Sequence, residues 1–411
     1  MEQVNIAIIG GGAAGLCCAV QLAKAGVNGV AVWEKAPRVG RKLMATGNGT
    51  CNITNRDLSL THYHGQNPAF SKAALERFSY ADTLAFFGSI GVDCVTDPDG
   101  RAYPRSRQAS AVLDCLRLEA EAGGVTFYTG CPVTAITPVK EGFKLTTADG
   151  NTMARRVIIA AGGAASPSLG GGNDGYTLLT SLGHSRTPLF PTIVQLRTDI
   201  TFVKAVKGIR VDSTITLKNG KESLSSSGEI LFTEYGLSGP AVMAISRMVG
   251  DWERRKKGEL TAHLDLLPDL SAEDVIAILQ KRRDLATREC GEYLTGFVNK
   301  RVGQTVLRMA GVSLNAPVST LTDKDIAAIA ALLKDWTLSV GGTQGFGSAQ
   351  ATAGGIATDE FDPVTLQSRL HKGLYAIGEV LDIDGDCGGY NLQWAWSSAT
   401  ATARDITNLQ K

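Results

Sequence analysis

The tightest constraint on this chain's fold lies in its first 34 residues. Ile6, Ala7, Ile8 and Ile9 form a short apolar run, as in a strand buried on both faces. Gly10, Gly12 and Gly15 follow in G-x-G-x-x-G spacing. Leu16, Val20 and Leu22 through Ala25 then read as a helix that Gly26 ends. A second strand, GVAVWEK, carries Glu34, 19 residues after Gly15. Each part has a mechanical reason. Gly10 permits the tight turn, Gly12 lets a pyrophosphate approach the backbone, and Gly15 lets helix and strand pack closely. Ala13 and Ala14 open the helix, whose free N–H groups and positive dipole end suit an anion. Glu34 stands close to the ~20 residues expected for a carboxylate on a ribose hydroxyl, and a carboxylate there disfavours a 2′-phosphate. The pattern specifies a dinucleotide, either NAD or FAD. A plain glycine-rich turn in an ordinary α/β protein would not need all four parts in this order.

After Glu34 and Lys35 comes KAPRVGRKLMATGNGTCNITN, read as a long loop where a simple nicotinamide dehydrogenase would start another strand–helix unit. A long loop suits FAD, an extended cofactor whose flavin end lies far from its pyrophosphate. Arg41 and Lys42 are placed to face phosphates or ribityl groups. Gly47, Asn48 and Gly49 let backbone lie against the cofactor, Asn48 and Asn52 offer donors and acceptors, and Cys51 is small and polarizable enough to lie beside a ring.

GRKLMATGNGTCNITN at 40–55 resembles the signature of a bacterial family of NAD(P)/FAD-dependent oxidoreductases that includes aminoacetone-oxidase-like and bile-acid-reductase-like flavoproteins. The resemblance continues at 100–109, 158–176, 230–241 and 373–399, so it covers nearly the whole chain in order. The family pattern often has arginine just before the cysteine of the first block, where Thr50 stands here. The resemblance implies non-covalent FAD, with NAD(P)H as a transient electron donor. Cofactor contacts are expected from Gly10, Gly12, Ala13, Ala14 and Gly15, from Glu34 and Lys35, from Arg41, Lys42, Gly47, Asn48, Cys51 and Asn52, and from Val133 near the adenine. Ala161 and Gly162, at the end of a buried parallel strand over Val157–Ala160, belong to the same set. So do Gly378, Glu379 and Asp382, at and after a strand in GLYAIGEVLD that reads as the last central one. The final group is Gly388, Gly389, Tyr390, Asn391 and Leu392, at the start of a helix beginning near Asn391. Its N-terminus could point at the flavin's pyrimidine edge; simple capping is the alternative for Gly389 and Asn391.

The fold class expected is α/β: a discontinuous Rossmann-like FAD-binding domain over 1–189 and 340–411, interrupted by a β-rich domain (190–269) and a small helical domain (270–339). Residues 131–163 read as a β-meander followed by the buried strand. Alternating stretches such as VDSTITLKNG and EILFTEYG mark the β-rich insertion, and Ser271 with Asp274 makes a capping-box start for its helical neighbour. ERRKK at 253–257 reads as a solvated turn.

A flavin carries the electrons itself, so no nucleophilic side chain is required. Arg101, Tyr103, Arg105 and Arg107 read as one loop before a helix, with Arg101 to hold a substrate carbonyl or carboxylate and Tyr103 to donate a proton. Tyr235 in TEYGLSGPAVM is a further catalytic candidate, and Ser238 and Pro240 mark a helix start. The five histidines show no metal spacing beyond His62-x-His64, read as a surface pair, so no metal is expected. The eight cysteines lack Cys-x-x-Cys, and no apolar run reaches the ~20 residues of a membrane span. Reduced thiols and no signal segment suggest a cytoplasmic protein. A net charge of +1 gives no general attraction to nucleic acid or anionic membrane, so the expected partner is a small molecule. Enone reduction and amine oxidation both remain open, with an FAD-binding RNA-modification protein as the alternative. The sequence is silent on oligomeric state.

Overall fold

The computed structural model describes residues 2–255, 258–285 and 287–409. It divides into two compact units, one formed by 1–191 and 346–411 and the other by 192–345.

The first unit is built on a seven-stranded sheet. Its parallel part runs β7 (Thr126–Thr129), β2 (Val30–Glu34), β1 (Glu2–Ile9), β10 (Gly150–Ile159) and β19 (Leu374–Ala376). Ile6 to Ile9 are buried, as a strand covered on both faces requires. β8 (Ala135–Val139), β9 (Gly142–Thr147) and β10 form an antiparallel meander. The meander and the buried parallel strand are therefore continuous. β10 pairs antiparallel with β9 over Gly150–Ala154, then parallel with β19 over Val157–Ile159, while β1 follows it along the other side.

Helix α1 (Ala13–Lys24) follows β1 directly, with Leu16, Val20 and Leu22 wholly buried. Each such side chain contributes about 1.5–3 kcal/mol. Gly26, at φ +75°, takes the left-handed position that ends the helix. α11 (Tyr390–Asn408) packs on α1; its Ser397, Ser398, Ala399 and Ala401 are small enough for close approach, and Gln21 Nε2 donates to Thr400 Oγ1 at 2.7 Å. α3 (Lys72–Arg77), α4 (Tyr80–Ser89), α5 (Ala109–Ala122) and α6 (Asp174–Ser181) complete the unit's longer helices.

Two expected loops have regular structure. The 35–55 stretch contains a short helix, α2 (Arg41–Ala45), and ends in β3 (Thr54–Asn55). Arg101 and Tyr103 lie on a strand, β6 (Arg101–Pro104), hydrogen-bonded between β3 and β5 (Cys94–Thr96); the alternation of Ala102 and Pro104 inward with Arg101 and Tyr103 outward is the strand signal. Two further short strands, β4 (Tyr63–His64) and β20 (Asp384–Gly385), pair antiparallel. β18 (Ala351–Ala353) lies early in the returning segment.

The chain leaves the first unit through β11 (Phe190–Thr192). In the second unit, β12 (Leu196–Thr198), β15 (Gly236–Ser238), β14 (Glu222–Phe232), β13 (Arg210–Asn219), β16 (Thr261–Asp265) and β17 (Trp336–Thr343) close into a barrel. Helices α7 (Pro240–Arg255), α8 (Ala272–Leu285), α9 (Lys300–Met309) and α10 (Asp323–Lys334) share its core. Residues 190–269 and 270–339, expected as separate insertions, thus meet in one unit, because β17 returns after the helices to close the barrel and Trp336 stacks on Phe232 (centroids 5.4 Å apart). The Ser271–Asp274 capping box is present, with Asp274 N–H donating to Ser271 Oγ at 3.0 Å. Glu253–Arg255 are the last turn of α7 rather than part of a solvated turn, and 256–257 lie outside the described residues.

Candidate functional site

The C-terminal ends of β1, β10 and β19 lie side by side, with Ile9 opposite Ile159 and Ile159 opposite Ala376. Ligands bind outside the strand ends of such sheets. The three glycines of the first turn divide the labour as their positions demand. A Cβ at Gly10 would collide with the Ala160 carbonyl, and one at Gly15 with the Gly10 carbonyl. A Cβ at Gly12 would meet nothing within 4 Å, so open space lies over that backbone. Gly12 is the N-cap of α1, no side chain caps the helix, and its first turn holds no acidic residue. Ala13 and Ala14 follow, leaving first-turn N–H groups that no side-chain cap occupies.

Glu34 ends β2. Its Oε2 accepts the Gly11 N–H at 2.9 Å and its Oε1 the Ala36 N–H at 2.8 Å, which fixes the carboxylate beside the glycine turn and leaves lone pairs on both oxygens. Cys131 N–H donates to the Glu34 carbonyl at 3.0 Å, which brings the segment leading to buried Val133 alongside. Lys35 forms an ion pair with Asp174. Ala161 and Gly162, at φ +72° with open space around its Cβ position, follow β10.

In the 40–55 stretch, Gly47, Asn48, Gly49 and Cys51 all have left-handed backbone, with φ of +57°, +54°, +87° and +58°. For Asn this is tolerable; for Cys51 it is uncommon. Cys51 is wholly buried in the unit's core, and burial pushes its thiol up to about 12, so it stays protonated. Asn52 Oδ1 is buried without a hydrogen-bond partner and sits 2.9 Å from where a Cβ on Gly389 would be. Arg41 donates to the Ser168 carbonyl at 2.7 Å. Lys42 pairs with Glu379 at 2.7 Å, and the other Glu379 oxygen accepts the Thr352 N–H at 2.7 Å. Both cations expected at phosphate or ribityl groups are engaged by protein partners, and Lys42 ties α2 to the turn after β19.

Gly388 and Gly389, at φ +143° and +100°, bring the chain over β3; a Cβ on Gly389 would lie 2.6 Å from the Thr54 carbonyl carbon. Gly389 caps α11 without a side-chain hydrogen bond. The stretches 47–52 and 388–392 therefore converge, as one extended cofactor requires. Asn391 differs from both expected roles: its amide accepts the Gly385 N–H at 2.9 Å and donates to the Gly385 carbonyl at 2.7 Å, which shapes the preceding turn. Leu392 is half-buried, Tyr390 is buried, and Asp382 is buried and accepts the Gln66 N–H at 3.1 Å.

α11 holds the surrounding segments through buried polar groups that sequence reasoning missed. Trp394 Nε1 donates to the Gly378 carbonyl at 3.0 Å, and Ser398 Oγ accepts the Gly378 N–H at 3.0 Å. Trp396 Nε1 donates to the Ile53 carbonyl at 2.9 Å. Gln393, wholly buried, has Oε1 within 2.5 and 2.9 Å of the Thr54 and Thr83 hydroxyls and donates to the Phe78 carbonyl at 2.9 Å. A run of Gln, Trp, Ser and Trp in an otherwise small-residue helix was the available signal.

Arg101 pairs with Asp99 at 3.3 Å, and its Nε lies 3.6 Å from the Cβ position of Gly388. Tyr103 lies under the Arg107 guanidinium, 4.3 Å from ring centre to Cζ. Tyr235 lies in the second unit, between β14 and β15. His62 and His64 are not a surface pair: both are half-buried against Asp386. Among the described residues no group of His, Cys, Asp and Glu could hold a metal, and no helix is long and apolar enough to cross a membrane.

Open space over Gly12, two helix N-termini without side-chain caps, the oriented Glu34 carboxylate and the orphaned Asn52 oxygen fit an extended dinucleotide. The chain matches the family described as HI0933-like protein Rossmann domain over residues 4–405. It is 39% identical over 405 residues to the 3-dehydro-bile acid delta(4,6)-reductase of Clostridium scindens, covering 97% of this chain and 98% of that protein. It is 32% identical over 409 residues to the ribosomal RNA dihydrouridine synthase of Escherichia coli, covering 99% and 98%. The solved 3-ketosteroid delta1-dehydrogenase of Sterolibacterium denitrificans shares the fold, with a TM-score of 0.54, 12% identity and full coverage of both chains. Site geometry and these likenesses agree: the chain belongs to the HI0933-like Rossmann-domain family and is an FAD-dependent oxidoreductase.

Proposed function

We propose that this protein is a reductase that saturates a carbon–carbon double bond conjugated to a carbonyl. The observation that carries the reading is the 39% identity, spread over nearly the whole chain, to a bile-acid reductase. A 3-oxo compound with double bonds at positions 4 and 6 is a conjugated enone. The C5=C6 bond of uridine, saturated in dihydrouridine, is conjugated to a carbonyl as well. Both named activities thus ask for the same chemistry, although their substrates differ greatly in size.

FAD, when bound and reduced, would supply hydride to the β carbon of an enone or the δ carbon of a dienone. The chain's residues would hold and orient the reactants. The N-terminus of α1, with Gly12 bare, would receive the pyrophosphate, and Glu34 the adenosine ribose. Gly47, Asn48 and Asn52 line the route toward the α11 N-terminus, whose positive end favours negative charge at the far end of the cofactor. Val133 would border the adenine. Arg101, beside Gly388, is assigned to the substrate carbonyl, where its charge stabilises the developing oxyanion. Tyr103 is the side chain assigned to proton delivery. The chain carries a single dinucleotide fingerprint, so an NAD(P)H donor would visit the site transiently rather than occupy a domain of its own.

The second reading, a uracil in RNA as substrate, is favoured by the Escherichia coli relative, and a net charge of +1 does not decide against it. Anaerobic flavin spectroscopy separates the cases. NADH or NADPH should bleach the visible flavin bands, and a 3-oxo-4-ene steroid should restore them. Restoration by a uridine-containing ribosomal RNA fragment and not by the steroid selects the second reading. Bleaching by small amines, with no recovery on adding either enone or RNA, overturns both.

A further inference from the structure

The C-terminal half of α11 borders a cavity that the reading above does not use. It measures about 160 Å³ and lies within the first unit, between α11, the end of α3 and the turn at 364–365. A cavity of about 150 Å³ holds a molecule the size of benzene. The floor consists of small, buried side chains: Ser397, Thr400 and Ala401 of α11 and Ala74 of α3. Larger residues at these positions would fill the space. Arg404, on the rim, follows Gly389 by 15 residues, or about 22 Å along the helix, so the cavity is separate from the cofactor end of α11.

The rim carries polar groups whose bonding capacity the protein leaves open. The exposed Arg77 guanidinium and the Asn408 amide make no hydrogen bond or ion pair among the described residues. Arg404 Nη1 donates to the Arg77 carbonyl at 2.7 Å, which leaves the other N–H groups of that guanidinium available. Asp405 Oδ2 accepts the Tyr375 hydroxyl at 2.8 Å, and Oδ1 keeps its lone pairs. Asp82 also senses the Arg404 charge, but its carboxylate is engaged in the capping box of α4.

The charges are sorted by element. The two guanidinium groups belong to the α3 end, where Arg404 reaches the last residue of that helix, whereas Asp405 is anchored toward β19 by Tyr375. A lone carboxylate in the cavity would meet the Asp405 charge, and a lone ammonium would meet two arginines. A molecule carrying both charges at its two ends meets neither penalty, and a carboxylate takes two guanidinium donors well. Asn408, one turn beyond Arg404, can donate to or accept from either end.

We propose that this cavity binds a small zwitterion of the α-amino acid class, its carboxylate held by Arg77 and Arg404, its ammonium by Asp405, and its side chain on Ala74 and Ala401. A buried floor of small residues beneath a few convergent polar groups is the usual build of such a site. The proposal does not rest on the flavin reading.

Isothermal titration calorimetry of the full chain with L-alanine tests it, with propionate and ethylamine as ligands that carry one charge each. L-Alanine should bind with a Kd on the order of millimolar, within reach of so few non-hydrogen atoms. Propionate and ethylamine should each bind about tenfold more weakly or worse. Arg77→Met alters an exposed side chain, and Asp405→Asn keeps an acceptor for Tyr375, so both variants should unfold at the wild-type denaturant midpoint. Each should weaken L-alanine about tenfold. Asp405→Asn should at the same time tighten propionate, because the repelling charge is gone. A wild type that gives no saturable heat with L-alanine overturns the proposal. So does L-alanine binding that neither variant changes, which would place the ligand elsewhere on the chain, the flavin site included. Propionate binding as tightly as L-alanine to the wild type overturns it too, since the cavity would then select only an anion.

Discussion

The two ends of the candidate site are built by different physics. At the β1–α1 turn, position is set by exclusion: Gly10 and Gly15 are bare because neighbouring carbonyls occupy the space a side chain would need. At the α11 end, position is set by hydrogen bonds between residues far apart in sequence. Thr54 meets Gln393, Asn55 meets Gly388, and His62 meets Asp386. A steric device fails all at once, whereas a hydrogen-bonded one fails in proportion to the groups left unpaired.

Gly15→Ala should therefore have the largest effect. The new Cβ presses on the Gly10 carbonyl, which is backbone and cannot rotate away. A loss of more than about 3 kcal/mol in unfolding free energy is expected, together with colourless protein. Denaturant unfolding and the visible spectrum check both. Survival with bound flavin would mean that the turn is softer than its packing implies.

At the other end, Gln393→Leu should be next. It fills the same volume but takes the short acceptor from the buried Thr54 hydroxyl, while the Phe78 carbonyl keeps the Ser397 hydroxyl at 3.1 Å. A buried group left without its partner costs about 1–3 kcal/mol, so a loss of about 2 kcal/mol is expected from denaturant unfolding. A loss below about 1 kcal/mol would show that water replaces the amide and that this end is less dry than the burial of Gln393 indicates.

The same contrast explains what was legible in the sequence. Exclusion leaves glycines at fixed spacing, and a short apolar run before them identifies the strand, so the first 34 residues could be read closely. The place of Glu34 beside the turn was legible because a dinucleotide fingerprint sets the carboxylate's distance from its glycines. Hydrogen bonds across three hundred residues leave no such spacing. Asp386 is one aspartate among many, and nothing local pairs it with His62 and His64. The neighbours of Asn391 suggest only a helix start; its clasp on Gly385 depends on a turn that only the fold provides. β17 was hidden for a different reason. It lies after a helical stretch, and the alternation of Trp336, Leu338 and Val340 inward gains its meaning only when β16 and β12 stand on either side.

Gly12→Ala sharpens the distinction between fold and ligand within one motif. The added methyl meets no protein atom, and the backbone at φ −82° accepts alanine without strain. Stability of the flavin-free chain should be unchanged or slightly raised, since alanine has fewer unfolded conformations to lose. FAD affinity should fall about tenfold or more, or about 1.4 kcal/mol, if the pyrophosphate needs that space. Fluorescence titration with FAD measures it. Unchanged affinity would place the cofactor elsewhere and remove the reason for a bare Gly12.

The smallest effect concerns acid. The folded Asp386 carboxyl is held lower than in the unfolded chain, because the two histidine hydrogen bonds outweigh its burial. A lowered carboxyl contributes stability that is fully present above its unfolded value and disappears as pH falls through its folded value. The contribution is modest, below about 1 kcal/mol, because the side chain is 35% exposed and the pair is screened by solvent. The acid limb should therefore be visible as a local loss of exchange protection at 384–386 rather than as global unfolding. Asp386→Asn keeps the shape and can still accept from one ring, but it cannot lose a charge, so its protection should not fall over the same acid range. If the variant and the wild type lose protection together, the acid sensitivity belongs to a neighbouring group such as Asp57, and the turn before α11 is held by the β4–β20 backbone pairing instead of by its histidines.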